Sequence, residues 1–233
     1  TGLDPVPNLG VVRGWRIAVL RFIRIVLLAA GLIGCASVEH DRVQEYRADA
    51  AQLVSRNDYK GAIETYEAAM KLSPRDPELY FQTGRCQEKL GKHARAEAAY
   101  KATLEIDPNH IPARHALVGL LVTDQRRAEA HQTVSAWLAS HPTSSEALAE
   151  DGYLALVDGD LPKAQARFQE SLASNPREVL ALSSLGQVYE RLSRPDRALS
   201  LYERALAARP DQPELKAAVE RLKSQGVSQP RPD

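Results

Sequence analysis

Small and apolar positions recur along this chain every 34 residues. Ala62, Ala96, Ala130, Ala164 and Ala198 stand one period apart, and Tyr66, Tyr100, Val134, Phe168 and Tyr202 follow them four residues later. Prolines keep the same period at Pro74, Pro108, Pro142, Pro176 and Pro210. The period divides the chain into blocks 43–76, 77–110, 111–144, 145–178 and 179–212 without insertion, and a fixed period of this length marks stacked supersecondary units. In each block the fourth, seventh and eleventh places lie on one face of a first helix, helix A; in the fifth block they are Leu182, Leu185 and Tyr189. A second helix, helix B, carries the periodic alanine and is ended by the proline at place 32. Gly91 and Gly159 fall at the turn between the two, where a left-handed residue is useful. Pro162 and Pro195 fall in the first turn of helix B, where a missing N–H costs nothing.

The residue sizes explain how the two helices meet. Place 8 is small, as Ala50, Gly84, Gly152 and Gly186, where the helices cross closely; Val118 departs from this and predicts a slightly splayed third block. Place 20 is always alanine because a longer side chain would force helix B away from helix A, and the residue at place 24 fills the space beside it. Asp49 occupies an otherwise apolar place in the first block, as befits a terminal unit with one side in water. Beyond the fifth block, 213–223 reads as one more amphipathic helix through Leu215, Ala218, Val219 and Leu222, covering the last unit's open face. Residues 224–233 are polar and proline-containing, a pattern that predicts a disordered tail.

Length and residue types together resemble the tetratricopeptide repeat family. Block two is clearest, with Tyr80-Phe81-Gln82-Thr83-Gly84, Leu90-Gly91-Lys92, Ala96, Tyr100 and Pro108, and the resemblance covers about 170 of 233 residues. It implies an all-α, right-handed superhelical solenoid of five helix-turn-helix repeats plus a C-terminal capping helix, with the A helices lining a concave groove. Places 2, 5, 9 and 12 of helix A would then face a ligand. They include Arg47, Glu78, Phe81, Arg85, Glu88, His115, Val122, Glu146, Tyr153, Leu156, Gln187 and Glu190. An apolar middle from Phe81 to Leu156 with charged flanks suits a protein segment as partner, either an extended peptide or an amphipathic helix. Co-chaperone members of the family clamp a C-terminal carboxylate with Lys and Asn at places 5 and 9; no Asn stands at either place, which argues against that subtype.

The first 34 residues have a different character. Arg13, Arg16, Arg21 and Arg24 precede an uninterrupted apolar run from Ile25 to Gly34, the layout of an export signal. The run is shorter than the about 20 residues that span a bilayer. It ends Leu32-Ile33-Gly34-Cys35, which resembles the lipobox of bacterial lipoproteins. That resemblance implies cleavage before Cys35, lipidation of its thiol and stable anchoring by two or three acyl chains, with 35–42 as a tether. Ala36, where lipoproteins kept at the inner membrane often carry Asp, points by the same resemblance to the outer membrane, facing the periplasm. The alternative is an uncleaved inner-membrane anchor built from Trp15 to Gly34, against which Arg21 and Arg24 would each cost about 2.5–3.5 kcal/mol at the bilayer centre. The chain begins at Thr1 rather than methionine, and a start at Val12 or Val19 would give a signal of ordinary length.

Composition narrows the chemistry. Lys plus Arg and Asp plus Glu are 30 each, and a neutral balance gives no general attraction to nucleic acid. Removal of the signal would leave 26 basic and 29 acidic residues, a net charge of about −3. Two cysteines, Cys35 and Cys86, make neither a disulfide scaffold nor a four-cysteine metal site. Cys86 falls where a side chain packs inward and reads as a buried, inert thiol, and Trp137 as core or a shoulder of the outer face. His110, His115, His131 and His141 lack metal-ligand spacing and read as solvated. There is no phosphate loop, dinucleotide fingerprint or nucleophile elbow. No catalytic residue, metal, cofactor or small-molecule substrate is therefore expected. The sequence points to a lipid-anchored periplasmic scaffold that assembles or localises an envelope complex, such as pilus, secretion or cell-wall machinery. An accessory regulatory subunit of an envelope enzyme is the alternative from another class.

Overall fold

The computed structural model describes residues 40–228, so the expected export signal, Cys35 and the last five positions lie outside the described residues. Every regular element among them is an α-helix. Packing divides the chain into two compact units, 1–107 and 108–233. The first holds α1 (40–55), α2 (Tyr59–Leu72), α3 (Pro77–Lys89) and α4 (His93–Ile106). The second holds α5 (Ile111–Thr123), α6 (Arg127–Ser140), α7 (Ser145–Asp158), α8 (Leu161–Ser174), α9 (Val179–Arg191), α10 (Pro195–Ala208) and α11 (Pro213–Ser224). The odd helices up to α9 are helices A and the even ones helices B.

Each helix A stops in the same way, and glycine is not what they share. The residue at place 15 is left-handed every time: Asn57 (φ 59), Gly91 (φ 68), Gln125 (φ 61), Gly159 (φ 85) and Ser193 (φ 58). The next N–H returns to a carbonyl five residues back, as Asp58 to Leu53, Lys92 to Gln87, Arg126 to Leu121, Asp160 to Ala155 and Arg194 to Tyr189. This arrangement satisfies carbonyls that a helix end leaves open. The start of helix A is capped from place 34 of the preceding repeat. Asp76, His110, Ser144 and Glu178 accept backbone N–H bonds from Glu78, Ala113, Ala147 and Leu180. The periodic prolines each stand two residues past the last residue of a helix B.

The core of each repeat is the crossing of its two helices. All five place-20 alanines have no exposed surface. A Cβ built on Gly84 would lie 2.6 Å from the Tyr100 ring, one on Gly152 2.7 Å from Phe168, and one on Gly186 2.3 Å from Tyr202. The place-24 ring thus lies against the place-8 backbone itself. Repeat three solves the same space with Val118 and Val134, both buried, and its helices pack less closely than the other pairs of the second unit, as the valine predicts. The charge at the apolar place 7 of repeat four is paired: Asp151, 8% exposed, meets Lys163 at 3.1 Å and Arg167 at 2.7 Å.

The C-terminal helix α11 closes the second unit through Leu215, Val219 and Leu222, which join the core cluster of α9 and α10. It ends at the left-handed Gly226 (φ 79), with the Val227 N–H bonded to the Leu222 carbonyl at 3.1 Å and Val227 packed back on the cluster. The first part of the segment expected to be disordered is therefore a helix cap.

Two stability outcomes follow. Gly152→Val should cost about 2–3 kcal/mol by overpacking and Phe168→Val about 1–3 kcal/mol by leaving a cavity. The double variant, which copies the valine pair of repeat three, should recover at least about 1 kcal/mol against their sum in urea denaturation; simple additivity would refute the coupling. Ser193→Gly should stabilise by about 0.5 kcal/mol, the left-handed penalty less the unfolded-state entropy of glycine. A lower melting temperature for Ser193→Gly would contradict the left-handed assignment.

Candidate functional site

The residues expected to face a ligand do not share one environment. Arg85, Glu88, His115 and Gln187 are exposed; Arg47, Glu78, Val122, Glu146, Tyr153 and Glu190 are half-buried. Phe81 (8% exposed) and Leu156 (3%) are buried, so these two read as groove contacts are core. Phe81 packs on Tyr100 with ring centroids 5.9 Å apart and has the Arg85 guanidinium 6.0 Å from its own centroid. Leu156 belongs to the cluster of the second unit.

Two place-12 carboxylates have structural work. The Tyr100 hydroxyl donates to Glu88 Oε2 at 2.6 Å, and the Tyr202 hydroxyl donates to Glu190 Oε1 at 2.7 Å. Burial pushes both phenols well above the usual tyrosine range, and the bonded carboxylates push them further. Where place 24 has no hydroxyl, place 12 has no acid: Phe168 goes with Leu156, and Val134 with Val122. Glu190 also takes Arg221 of α11 at 2.9 Å, so one carboxylate joins repeat five to its cap.

Clefts open between successive A helices. In the first unit, Arg47, Ala51, Val54 and Tyr66 of repeat one face Glu78, Leu79 and Gln82 of repeat two across about 270 Å³. At its edge Arg47 is ion-paired with Asp76. In the second unit, Gln187, Glu190 and Tyr202 face Leu215, Ala218 and Arg221 across about 390 Å³. The two seams use nearly the same places, 9, 12 and 24 of one repeat and 2, 3 and 6 of the following helix A. A third cleft of about 450 Å³ lies on the helix B side, between α8 and α10, over Leu185 and Tyr189 with Arg197 and Arg204 at its margin. Arg197 sits 5.6 Å from the Tyr189 ring centroid.

The singled-out chemical residues are engaged individually. His110 caps α5, His131 Nε2 meets Asp158 at 2.7 Å, His141 meets Ser140 at 2.9 Å, and His115 Nδ1 meets Glu150 at 2.6 Å. Among the described residues no group of three or more His, Cys, Asp or Glu could hold a metal. Cys86 is free and buried, and burial pushes its thiol up, away from the reactive form. Trp137 is 5% exposed and lies beneath the Arg114 guanidinium, 4.5 Å from the ring centroid. No described helix is long and apolar enough to cross a membrane.

Paired helices, repeated at a constant period and presenting seams without a catalytic constellation among the described residues, define a helix-pair repeat scaffold. A family model described as tetratricopeptide repeat matches 47–111 and 150–213, and a second of that description matches 89–149. The chain belongs to the tetratricopeptide repeat family, and the fold is that of a protein-interaction scaffold. It is 27% identical over 186 residues to the cellulose synthase operon protein C of Xanthomonas axonopodis pv. citri, covering 76% of this chain but 12% of that protein. Among solved structures it resembles a thermophilic TPR protein of Thermus thermophilus, with TM-score 0.61, 23% identity and coverage of 78% of this chain and 99% of that one. It also resembles pilF of Pseudomonas aeruginosa, with TM-score 0.54, 15% identity and coverage of 81% and 86%. At these identities the two structures establish the fold alone.

The pairing of places 12 and 24 has a direct test. Glu190→Leu alone leaves the buried Tyr202 hydroxyl without its acceptor and should cost about 1–3 kcal/mol. Adding Tyr202→Phe copies the Leu156–Phe168 pair and should restore most of that loss in a denaturation cycle. If the double variant is no more stable than the single, the hydroxyl–carboxylate bond is not what couples the two places.

Proposed function

We propose that this protein is a lipid-anchored scaffold that holds a protein segment along the seams of its A helices and so assembles or localises a complex of the bacterial cell envelope. The observation that carries the binding half is the repetition of one seam, lined by the same places, in each unit. Its apolar and aromatic floor within a charged rim suits a peptide or helix better than a small molecule. The tether half rests on the sequence before residue 36: four arginines, a ten-residue apolar run and Cys35 in a lipobox-like setting. A protein at the outer membrane facing the periplasm is the reading that Ala36 favours; an inner-membrane anchor is its alternative.

A second reading, an accessory subunit of an envelope enzyme, draws on the likeness to a protein named for a cellulose synthase operon. The two readings share the surface and differ in what occupies it.

Metabolic labelling with a palmitate analogue should mark the wild-type protein and leave Cys35→Ala unmarked; a labelled Cys35→Ala protein refutes the lipoprotein reading. For the surface, Arg85→Ala/Tyr153→Ala should reduce cross-linking to the native partner at least tenfold, while Arg204→Ala on the helix B side leaves it unchanged. Equal cross-linking by the double variant would move the binding surface elsewhere.

A further inference from the structure

The seam between α5 and α7 contains a carboxylate that neither the fold nor the general reading of the surface explains. Glu150, at place 6 of repeat four, is 2% exposed. Its Oε1 meets His115 Nδ1 at 2.6 Å, and its buried Oε2 makes no hydrogen bond within the protein. A carboxylate withdrawn from water with one oxygen unpaired is held at a cost, because a buried polar group wants a partner. The partner of Oε1 is a side chain on the surface: His115 is 48% exposed and lies edge-on to Tyr153, ring centroids 6.0 Å apart.

The surroundings favour a cation. Glu146 stands one turn before Glu150 on α7. Glu178, at the start of α9, is raised above the usual carboxylate range chiefly by burial; the Leu180 N–H bond and Arg209 oppose this, and the negative charges of Glu146 and Glu150 add to it. Arg114 is close enough for the Glu150 charge to act on it, but its guanidinium lies over Trp137 and donates to the Pro108 carbonyl. Room is available beside the pair: a Cβ on Gly119, one turn along α5 from His115, would meet nothing within 4 Å. The corresponding place 5 and place 6 residues at the seam of the first unit are Arg47 and Gln82, so the buried acid belongs to this seam rather than to the repeat.

We propose that Glu150 is the recognition carboxylate for an arginine or lysine side chain of the bound protein segment, with His115 occupying its place in the free protein. This rests on the proposed use of the A-helix seams for a protein partner and adds the chemistry of one anchor. The imidazole satisfies one oxygen. An incoming guanidinium or ammonium would displace it, enter over Gly119 beside Val122 and Tyr153, and supply donors to both oxygens, the geometry in which charged hydrogen bonds are strongest. His115 is half in solvent, so its imidazole has open space to move into.

The test uses the full chain in detergent, panned against a phage library of random dodecapeptides. Wild type should enrich peptides with one fixed Arg or Lys position next to apolar residues, and Glu150→Gln should lose that position while still enriching apolar peptides. His115→Ala supplies the second measurement: it keeps the carboxylate and removes its occupant, so a synthetic peptide from the wild-type selection should bind it severalfold more tightly. A merely structural His115–Glu150 pair predicts unchanged or weaker binding. Peptides that depend on Tyr153 but show no fixed basic position overturn the Glu150 proposal and leave the surface standing. Enriched peptides indifferent to Tyr153→Ala, or no enrichment at all, overturn both.

Discussion

The contact on which each repeat depends is the approach of helix A to helix B at places 8 and 24. An aromatic ring removes more apolar surface from water than any other single side chain of the repeat. In repeats two, four and five it does so because the facing residue has no side chain to keep the backbones apart. Gly84, Gly152 and Gly186 make that room for Tyr100, Phe168 and Tyr202. The absent Cβ has its own penalty, since glycine inside a helix is unfavourable by about 1 kcal/mol relative to alanine. The ring's burial, at about 1.5–3 kcal/mol for a large side chain, outweighs it. Repeat three reaches a filled interface with two valines and a wider pair of helices, so constancy of total volume, not of either residue, is the constraint.

This constraint reaches the surface. In repeats two and five the tyrosine at place 24 brings a hydroxyl to the edge of helix A and place 12 supplies its acceptor, as Glu88 and Glu190; repeat one departs from this, with Val54 at place 12 and Tyr66 at place 24. A phenylalanine or valine brings none, and place 12 turns apolar. Part of the charge along the A helices is thus a consequence of the core rather than a feature chosen for a ligand. The positions free to answer to a partner are places 2, 5 and 9, along with place 6 in the seams. A buried acid at place 6 has no such structural origin, which separates Glu150 from Glu88 and Glu190.

The periodic part of this architecture was legible because it is written in residue size. Alanine at place 20, a small residue at place 8 and proline at place 32 each exclude alternatives by sterics, and sterics leave a compositional trace. The helix A terminus was half legible. Gly91 and Gly159 signal a left-handed turn, whereas Asn57, Gln125 and Ser193 adopt it under the pull of the same backbone bonds without a telling residue type. Exposure was less legible still: Phe81 and Leu156 occupy places that the pattern turns outward, yet their own bulk draws them into the core. The His115–Glu150 pair was missed because its members stand 35 residues apart, one period plus one, and belong to different repeats. Reading place 5 of each block against place 6 of the next would have found it, since that comparison pairs opposite types only there.

The capping helix shows what a repeat contributes to its neighbour. No helix B follows α11 among the described residues, yet Leu215, Ala218 and Arg221 line the seam with repeat five much as Leu79 and Gln82 of repeat two line the seam with repeat one. A repeat therefore completes the surface of the one before it with its helix A alone, and its helix B serves to bury the far side. This is why a single amphipathic helix, fastened by the Arg221–Glu190 pair and held by Val227 folding back on its own last turn, covers the open face of repeat five. It is also why the cap adds a seam instead of only shielding apolar surface: nearest-neighbour stacking lets α11 line its seam from the same places that helix A of a full repeat uses, while the residues at those places set each seam's own chemistry.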